Sequence, residues 1–174
     1  DSGLVQGVVR QGVVSYKGIP YAAPPLGELR WRSPQTPEEW NGIFAADAFG
    51  PICPQVGSLF PPLLIGETSE DCLTLNVWAP TDEDSAPVMV WIHGGGYRRG
   101  LGSSPLYDGT NLAEQGVVVV TFNYRLGRFG FFAHPALSQA QSSERLGNYG
   151  FMDQIAVLEW VQRNIAAFGG DPDN

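Results

Sequence analysis

The stretch that most constrains this chain is Trp91-Ile92-His93-Gly94-Gly95-Gly96-Tyr97, where an apolar run ends in three consecutive glycines. Val88 to Ile92 is a short hydrophobic segment of the kind that lies buried in a sheet. Beyond His93 the turn carries no Cβ atom until Tyr97. Adjacent glycines raise the conformational entropy lost on folding, so a run of them needs a physical reason. One reason is a turn that demands positive φ or brings two backbones together. The other is that bare amides must approach a small anion. Phosphate-loop spacing does not fit, because Gly94-x-Gly96 is followed at the sixth position by Arg99 and no Gly-Lys-Ser/Thr occurs. A developing oxyanion in acyl transfer is the other anion that exposed backbone N–H groups stabilise. From this stretch alone both readings stand.

The segments around it read as an α/β chain. Residues 4–10 and 13–17 are two short strands with Gln11-Gly12 at the turn, a hairpin signal. Residues 19–37 are crowded with prolines and carry neither period, so an ordered, extended loop is expected, with Trp31 and, just beyond it, Trp40 covering apolar surface. Leu73 to Trp78 alternates as a strand with one buried face, and residues 81–87 form a polar, acidic turn. Residues 98–109 are a loop, residues 110–115 a short helix stopped by Gly116, and residues 117–122 a fully buried parallel strand with four consecutive valines. Strand, helical turn and strand in that order imply a crossover onto a parallel sheet. Residues 128–141 read as a loop. Residues 153–167 carry Ile155, Leu158, Val161 or Gln162, and Ile165 at helical spacing, with Val157 and Trp160 beside them, Asp153 at the helix start and Gly169 as its stop. No linker divides the chain, so one domain is expected.

Composition limits the partners. At 174 residues roughly 70% of the unfolded surface can be buried. Eighteen acidic residues against ten basic give a net charge of −8, which argues against nucleic acid and anionic membrane surfaces. No apolar run approaches the ~20 residues of a membrane span. The chain begins at Asp1 with no basic and apolar leader, as expected of a processed product or a fragment. Cys53 and Cys72 are the two cysteines, and by themselves they fit either buried thiols or a crosslink. Two histidines and two cysteines fall short of a zinc ligand set, so neither metal nor cofactor is expected.

Several stretches together resemble one family. They are Tyr16-Lys17-Gly18-Ile19-Pro20-Tyr21-Ala22, Pro24-Pro25-Leu26-Gly27-Glu28-Leu29-Arg30-Trp31 and Glu70-Asp71-Cys72-Leu73-Thr74-Leu75-Asn76-Val77-Trp78. Asn123-Tyr124-Arg125-Leu126-Gly127, Gly147-Asn148-Tyr149-Gly150-Phe151-Met152-Asp153-Gln154 and Phe168-Gly169-Gly170-Asp171-Pro172-Asp173-Asn174 follow in the same order. With the glycine triplet, they make the whole chain similar to the start of the type-B carboxylesterase and cholinesterase family, an α/β-hydrolase group.

The resemblance implies the N-terminal third of an α/β-hydrolase catalytic domain, with a small antiparallel hairpin leading into a mostly parallel central sheet. It implies hydrolysis of a small-molecule carboxylic ester through a serine acyl-enzyme. Gly95 and Gly96 would donate the oxyanion-hole amides, Gly94 would shape the turn, and Tyr97 and Tyr107 would line the substrate site. Tyr97 stands where phenylalanine is more usual. The Gly-x-Ser-x-Gly elbow, its acid and its histidine lie beyond residue 174 in the family, and no such elbow occurs here. The serine pairs 103/104 and 142/143 therefore read as loop hydroxyls, His93 and His134 as scaffold. The remainder of the hydrolase is the implied partner. The resemblance also implies a Cys53–Cys72 disulfide and with it a secreted or otherwise extracytoplasmic location, an Arg30–Glu70 ion pair, and Asp153 as carboxylate partner of Arg125. The rival implication is a catalytically inactive, cholinesterase-like binding or adhesion protein, since some members keep the fold and lose the triad.

Overall fold

The computed structural model describes residues 2–55, 66–140 and 146–174. Gly57, Pro61 and Pro62 of the loop between the cysteines, and the pair Ser142 and Ser143, lie outside the described residues. The main sheet has five strands: β2 (Val8–Arg10), β3 (Val13–Pro20), β5 (Thr74–Pro80), β6 (Val88–Trp91) and β7 (Val118–Phe122), in the spatial order β2-β3-β5-β7-β6. Pairing is antiparallel from β2 through β7 and parallel only between β7 and β6, so among the described strands the sheet is mixed and the parallel character expected of it is confined to that one pair. The helices are α1 (Thr110–Ala113), α2 (Gly127–Phe131), α3 (Pro135–Ala140) and α4 (Tyr149–Asn164).

The hairpin closes where Gln11 (φ 50°) and Gly12 (φ 81°) take the two positive φ values of a type I′ turn. The segment read as one strand over residues 4–10 is divided at Gly7. A Cβ there would lie 2.7 Å from the Ser15 carbonyl oxygen and from the Tyr16 ring. The chain therefore changes partner: β1 (Leu4–Gln6) pairs in parallel with β4 (Ile43–Ala45), and β2 pairs with β3. Strand β5 is buried along its whole length rather than on one face, and so is β7. Leu75, Val77 and Ala79 face a core that includes Val157, Trp160 and Ile165, whereas Trp78 packs with Val13, Ala113 and Val119 on the opposite side.

Two sequence expectations fail in instructive ways. Residues 128–141, read as a loop, hold α3 and all of α2 but its first residue, short helices whose Gly, Phe and Pro content hides their period. The helix expected from Asp153 begins four residues earlier, at Tyr149, and passes into a 3₁₀ turn over Ile165–Phe168. Its buried face is Asp153, Val157, Trp160, Val161 and Asn164, while Ile155 and Leu158 are 50% and 44% exposed. Of the apolar residues read at helical spacing, Val161 and Ile165 are buried, as are Val157 and Trp160 beside them; Asp153 and Asn164 take the inward places that Ile155 and Leu158 leave, so hydrophobicity alone selects only part of the face. Gly169 (φ 80°) does end the element in a left-handed conformation.

The chain then turns back along the free edge of β6. Ala86 and Gly170 form a parallel bridge, and the Val88 amide, directed away from β7, donates to the Asn174 carbonyl at 2.8 Å. Trp31 and Trp40 hold the proline-rich loop and its continuation, each donating an indole N–H, to the Arg128 and Leu4 carbonyls respectively, at 2.8 Å. The Arg30 guanidinium meets both oxygens of Glu70 at 2.6 Å, as expected.

Candidate active site

The glycine turn leaves the carboxyl end of β6, next to the carboxyl end of its parallel neighbour β7. Three residues in succession hold positive φ: Gly95 (122°), Gly96 (62°) and Tyr97 (60°). A tyrosine in the left-handed region costs about 1–3 kcal/mol and is held there by its surroundings. Here the Tyr97 carbonyl accepts from the Gly127 amide at 2.7 Å, and the ring lies 5.2 Å from both Phe131 of α2 and Phe151 of α4.

The three glycines differ in what requires them. At Gly95 a Cβ would collide with the Arg99 carbonyl, so glycine is demanded by sterics as well as by φ. At Gly96 only φ demands it, since the space is open. Gly94 has ordinary φ and open space, and no described neighbour requires a glycine there. The turn's own hydrogen bonds engage carbonyls and later amides, as in Arg98 N–H to the Gly95 carbonyl at 3.3 Å. Among the described residues no acceptor takes the Gly95 or Gly96 amide, and both residues are exposed. Unpartnered backbone amides on an exposed turn carry partial positive charge, the sign that attracts an anion.

Behind the turn the scaffold is rigid and buried. His93 is 2% exposed and stacks on Tyr124 with 4.4 Å between ring centroids. The Tyr124 hydroxyl donates to the His93 carbonyl at 2.8 Å. Burial, reinforced by the neighbouring Tyr97 and Tyr107 phenols, pushes the Tyr124 hydroxyl pKa up to about 12, so it remains a donor. The Nδ1 atom of His93 is 2.9 Å from the Gly94 carbonyl oxygen. A carbonyl can only accept, so Nδ1 carries the proton. Burial lowers the imidazole pKa below its ordinary range, opposed by the bond to Gly94. His93 is thus a neutral brace of the turn, with its Nε2 unpartnered among the described residues. His134 accepts the Ala136 amide at 3.2 Å at the start of α3, a loop role as expected.

Side chains that sequence reasoning left unassigned do much of the positioning. Asn123, one residue past β7, accepts from the Gly102 amide at 2.8 Å and donates to the Pro51 carbonyl at 3.0 Å. Gln55 clamps Gly100 with two hydrogen bonds. Asn123 falls within a stretch that carries the family resemblance, a signal that marks its position without revealing its task. Cys53 and Cys72 are joined as a disulfide, and both are buried. Arg125 is held by Asp153 through Nε at 2.8 Å, Nη2 at 2.7 Å and its own backbone N–H at 3.0 Å. That pairing supersedes the helix-terminus role expected of Asp153, which lies inside α4.

Tyr107 is set apart from Tyr97. It ends a 3₁₀ turn over Pro105–Tyr107 and packs 5.2 Å from Trp91 in an apolar groove shared with Met89, Leu112 and Val119. Met89 and Trp91 lie on the outer face of the edge strand and, with Ile92, are 44%, 43% and 42% exposed, so the apolar run read as a buried strand is an edge strand with one face open among the described residues. Among the described residues no cluster of three His, Cys, Asp or Glu side chains is placed to hold a metal ion, and no helix is long and apolar enough to cross a membrane.

Comparison with known proteins agrees with this architecture. A family model described as "Carboxylesterase family" matches residues 1–174. The chain is 51% identical to the para-nitrobenzyl esterase of Bacillus subtilis (strain 168), over 99% of its own length and 35% of that protein's. It is 46% identical to the cholinesterase of Mus musculus, over 98% of its length and 29% of that protein's. A solved structure of a thermophilic PNB esterase superimposes with a TM-score of 0.92 at 48% identity, covering 99% of this chain and 36% of that one. The chain thus spans about a third of the length of the curated relatives it matches. With an α/β-hydrolase framework in place and the family model matched from end to end, the chain belongs to the carboxylesterase family.

Proposed function

We propose that the whole protein hydrolyses small-molecule carboxylic esters through a serine acyl-enzyme, with residues 1–174 as the N-terminal segment of a single catalytic domain. The observation that carries this reading is the pair of unpartnered, exposed amides at Gly95 and Gly96, at the carboxyl end of a strand in a parallel pair. The esterase relative named above supports an ester as substrate. In the proposed reaction a serine hydroxyl, supplied by polypeptide outside residues 1–174, loses its proton to a base and attacks the ester carbonyl. The carbonyl oxygen becomes negative and accepts hydrogen bonds from the Gly95 and Gly96 amides. Collapse of the intermediate expels the alcohol, which takes a proton, and water then releases the acid from the acyl-enzyme. Each lost donor raises the barrier by roughly 3–4 kcal/mol. His93 is not the base in this scheme, because it is buried and its protonated nitrogen is committed to the Gly94 carbonyl. In this reading Tyr97, beside Phe131 and Phe151, lines the substrate site, Tyr107 contributes from the separate groove against Trp91, and Gly94 serves the turn.

The partner in this reading is the remainder of the same hydrolase. The exposed Met89, Trp91 and Ile92 of the edge strand, and the parallel approach of residues 170–174 beside it, favour a further strand at that edge. The disulfide favours an oxidising, extracytoplasmic compartment. The test is covalent labelling of the intact protein with a fluorophosphonate, read by intact mass, alongside hydrolysis of a p-nitrophenyl ester. One phosphonyl adduct on a serine, with turnover abolished, is expected. Neither adduct nor turnover would overturn the reading in favour of a non-catalytic binding protein.

A further inference from the structure

We propose that Gln55 is a positioning residue that ties the Cys53–Cys72 crosslink to the glycine turn and keeps the Gly95 and Gly96 amides aimed. The proposal rests on the ester-hydrolase reading of that turn. Its starting point is an unusual use of one side chain. The Gln55 amide accepts from the Gly100 N–H at 2.9 Å and donates to the Gly100 carbonyl at 3.0 Å, so both backbone polar groups of a single residue are gripped by one planar group. The same Nε2 also donates to the Cys53 carbonyl at 3.1 Å, which fixes the side chain against its own segment. A planar amide held at both ends has few rotamers left, so it transmits position rather than absorbing it.

Gly100 is where the returning leg of the turn touches the outgoing one. Its φ is 126°, and a Cβ on it would meet His93 Nδ1 and, at 2.5 Å, the Gly94 carbonyl oxygen. Those two atoms are the hydrogen-bonded pair that braces the start of the triplet. One residue earlier, the Arg99 carbonyl crowds Gly95 in the same way. The backbone at residues 99–100 therefore forms the wall against which residues 93–95 are packed, and Gln55 holds that wall. On the far side Gln55 stands two residues from Cys53, whose crosslink partner Cys72 is buried in the main core. A second amide, Asn123, spans the same two segments from Pro51 to Gly102, which leaves Gln55 as the tie nearest the glycines. Loss of this tie lets the wall recede, and misplacement of a catalytic group by about 1 Å can cost on the order of a hundredfold in rate.

The experiment uses the intact protein and the variants Gln55→Met, which keeps length and loses all three side-chain hydrogen bonds, Gln55→Glu, which keeps only the acceptor, and Cys53→Ser/Cys72→Ser. Hydrolysis of a p-nitrophenyl ester is resolved into kcat and KM. Gln55→Met is expected to lower kcat at least about tenfold with KM within about twofold, because the amides act on the transition state and not on ground-state binding. Gln55→Glu is expected to fall between Gln55→Met and the wild type. Removing the crosslink is expected to lower kcat in the wild type but to add little in the Gln55→Met background, since both changes cut one connection. An unchanged kcat in Gln55→Met overturns the proposal, as does a crosslink effect of equal size in both backgrounds. Hydrogen exchange separates failure of the proposal from failure of the function. If the wild type neither reacts with fluorophosphonate nor turns over ester, the ester-hydrolase reading falls. The tie is then judged by whether Gln55→Met speeds exchange of the amides at residues 94–100, and unchanged exchange overturns it.

Discussion

Replacing Asp153 with asparagine takes one charge out of a pair that is almost dry. Arg125 is 3% exposed and Asp153 0%. Asparagine keeps the shape and one acceptor oxygen, so no cavity complicates the result. Of the three hydrogen bonds from Arg125 to the carboxylate, at most two can be rebuilt, and none is charge-assisted at the acceptor. The bond from Arg125 Nη1 to the Arg32 carbonyl at 2.9 Å remains, but a carbonyl does not neutralise a guanidinium. Breaking one side of a buried pair costs about 3–5 kcal/mol, because the surviving charge stays buried. The lower figure corresponds to more than about a hundredfold in the unfolding equilibrium. Urea unfolding of the intact protein, followed by tryptophan fluorescence, measures it as a lower midpoint at unchanged m. The reciprocal variant, Arg125→Met, gives an internal control. Burial raises the Asp153 carboxyl pKa, and the opposing bonds and charge of Arg125 are then gone. An acid with a raised folded pKa is penalised once ionised, so this variant regains stability as pH falls through that raised value toward about 4, the ordinary carboxyl range. Asp153→Asn has no such recovery. A cost below about 1 kcal/mol for Asp153→Asn, or the same pH profile in both variants, would refute the claim that this charge pair is desolvated and mutually dependent.

Two further outcomes follow from the turn. Gly95→Ala places a Cβ against the Arg99 carbonyl at φ 122°, and should lower stability by about 1–3 kcal/mol or more and remove ester turnover, whereas Gly94→Ala, with open space and ordinary φ, should leave the unfolding free energy within about 0.5 kcal/mol of wild type. Paired thermal melts and kinetic assays decide it, and equal effects at the two positions would contradict the geometry. Burial depresses the His93 pKa, so the unfolded chain binds the proton first. Stability is present above about pH 6.5 and is lost as pH falls from there toward the folded value, by at most about 1.4 kcal/mol per pH unit. His93→Asn, whose amide can reach the Gly94 carbonyl without titrating, should flatten that part of the stability–pH curve. An unaltered slope would assign the acid sensitivity elsewhere.

The strand that runs into Gly94-Gly95-Gly96, the buried valines of β7 and the Gln11-Gly12 hairpin were legible in residue order, because each depends on neighbours close along the chain. Period, side-chain branching and the φ freedom of glycine are local properties. The resemblance carried by the spaced motifs placed Cys53 with Cys72, Arg30 with Glu70 and Arg125 with Asp153, pairings that separation along the chain alone does not determine. Tertiary structure decided the rest. It turned α4 so that Asp153 and Asn164 point inward while Ile155 and Leu158 face out, since the carboxylate has a buried guanidinium to meet. It split the first strand at Gly7, where the Ser15 carbonyl and Tyr16 ring leave no room for a side chain. It also separated the three glycines into one required by contact, one required by φ and one required by neither. That distinction rests on the carbonyl of Arg99 and on the space beside residues 94 and 96, neither of which residue order records. The same packing recruited Gln55 and Asn123 as amide ties across forty-five and seventy-two residues, distances over which sequence patterns carry no information about contact.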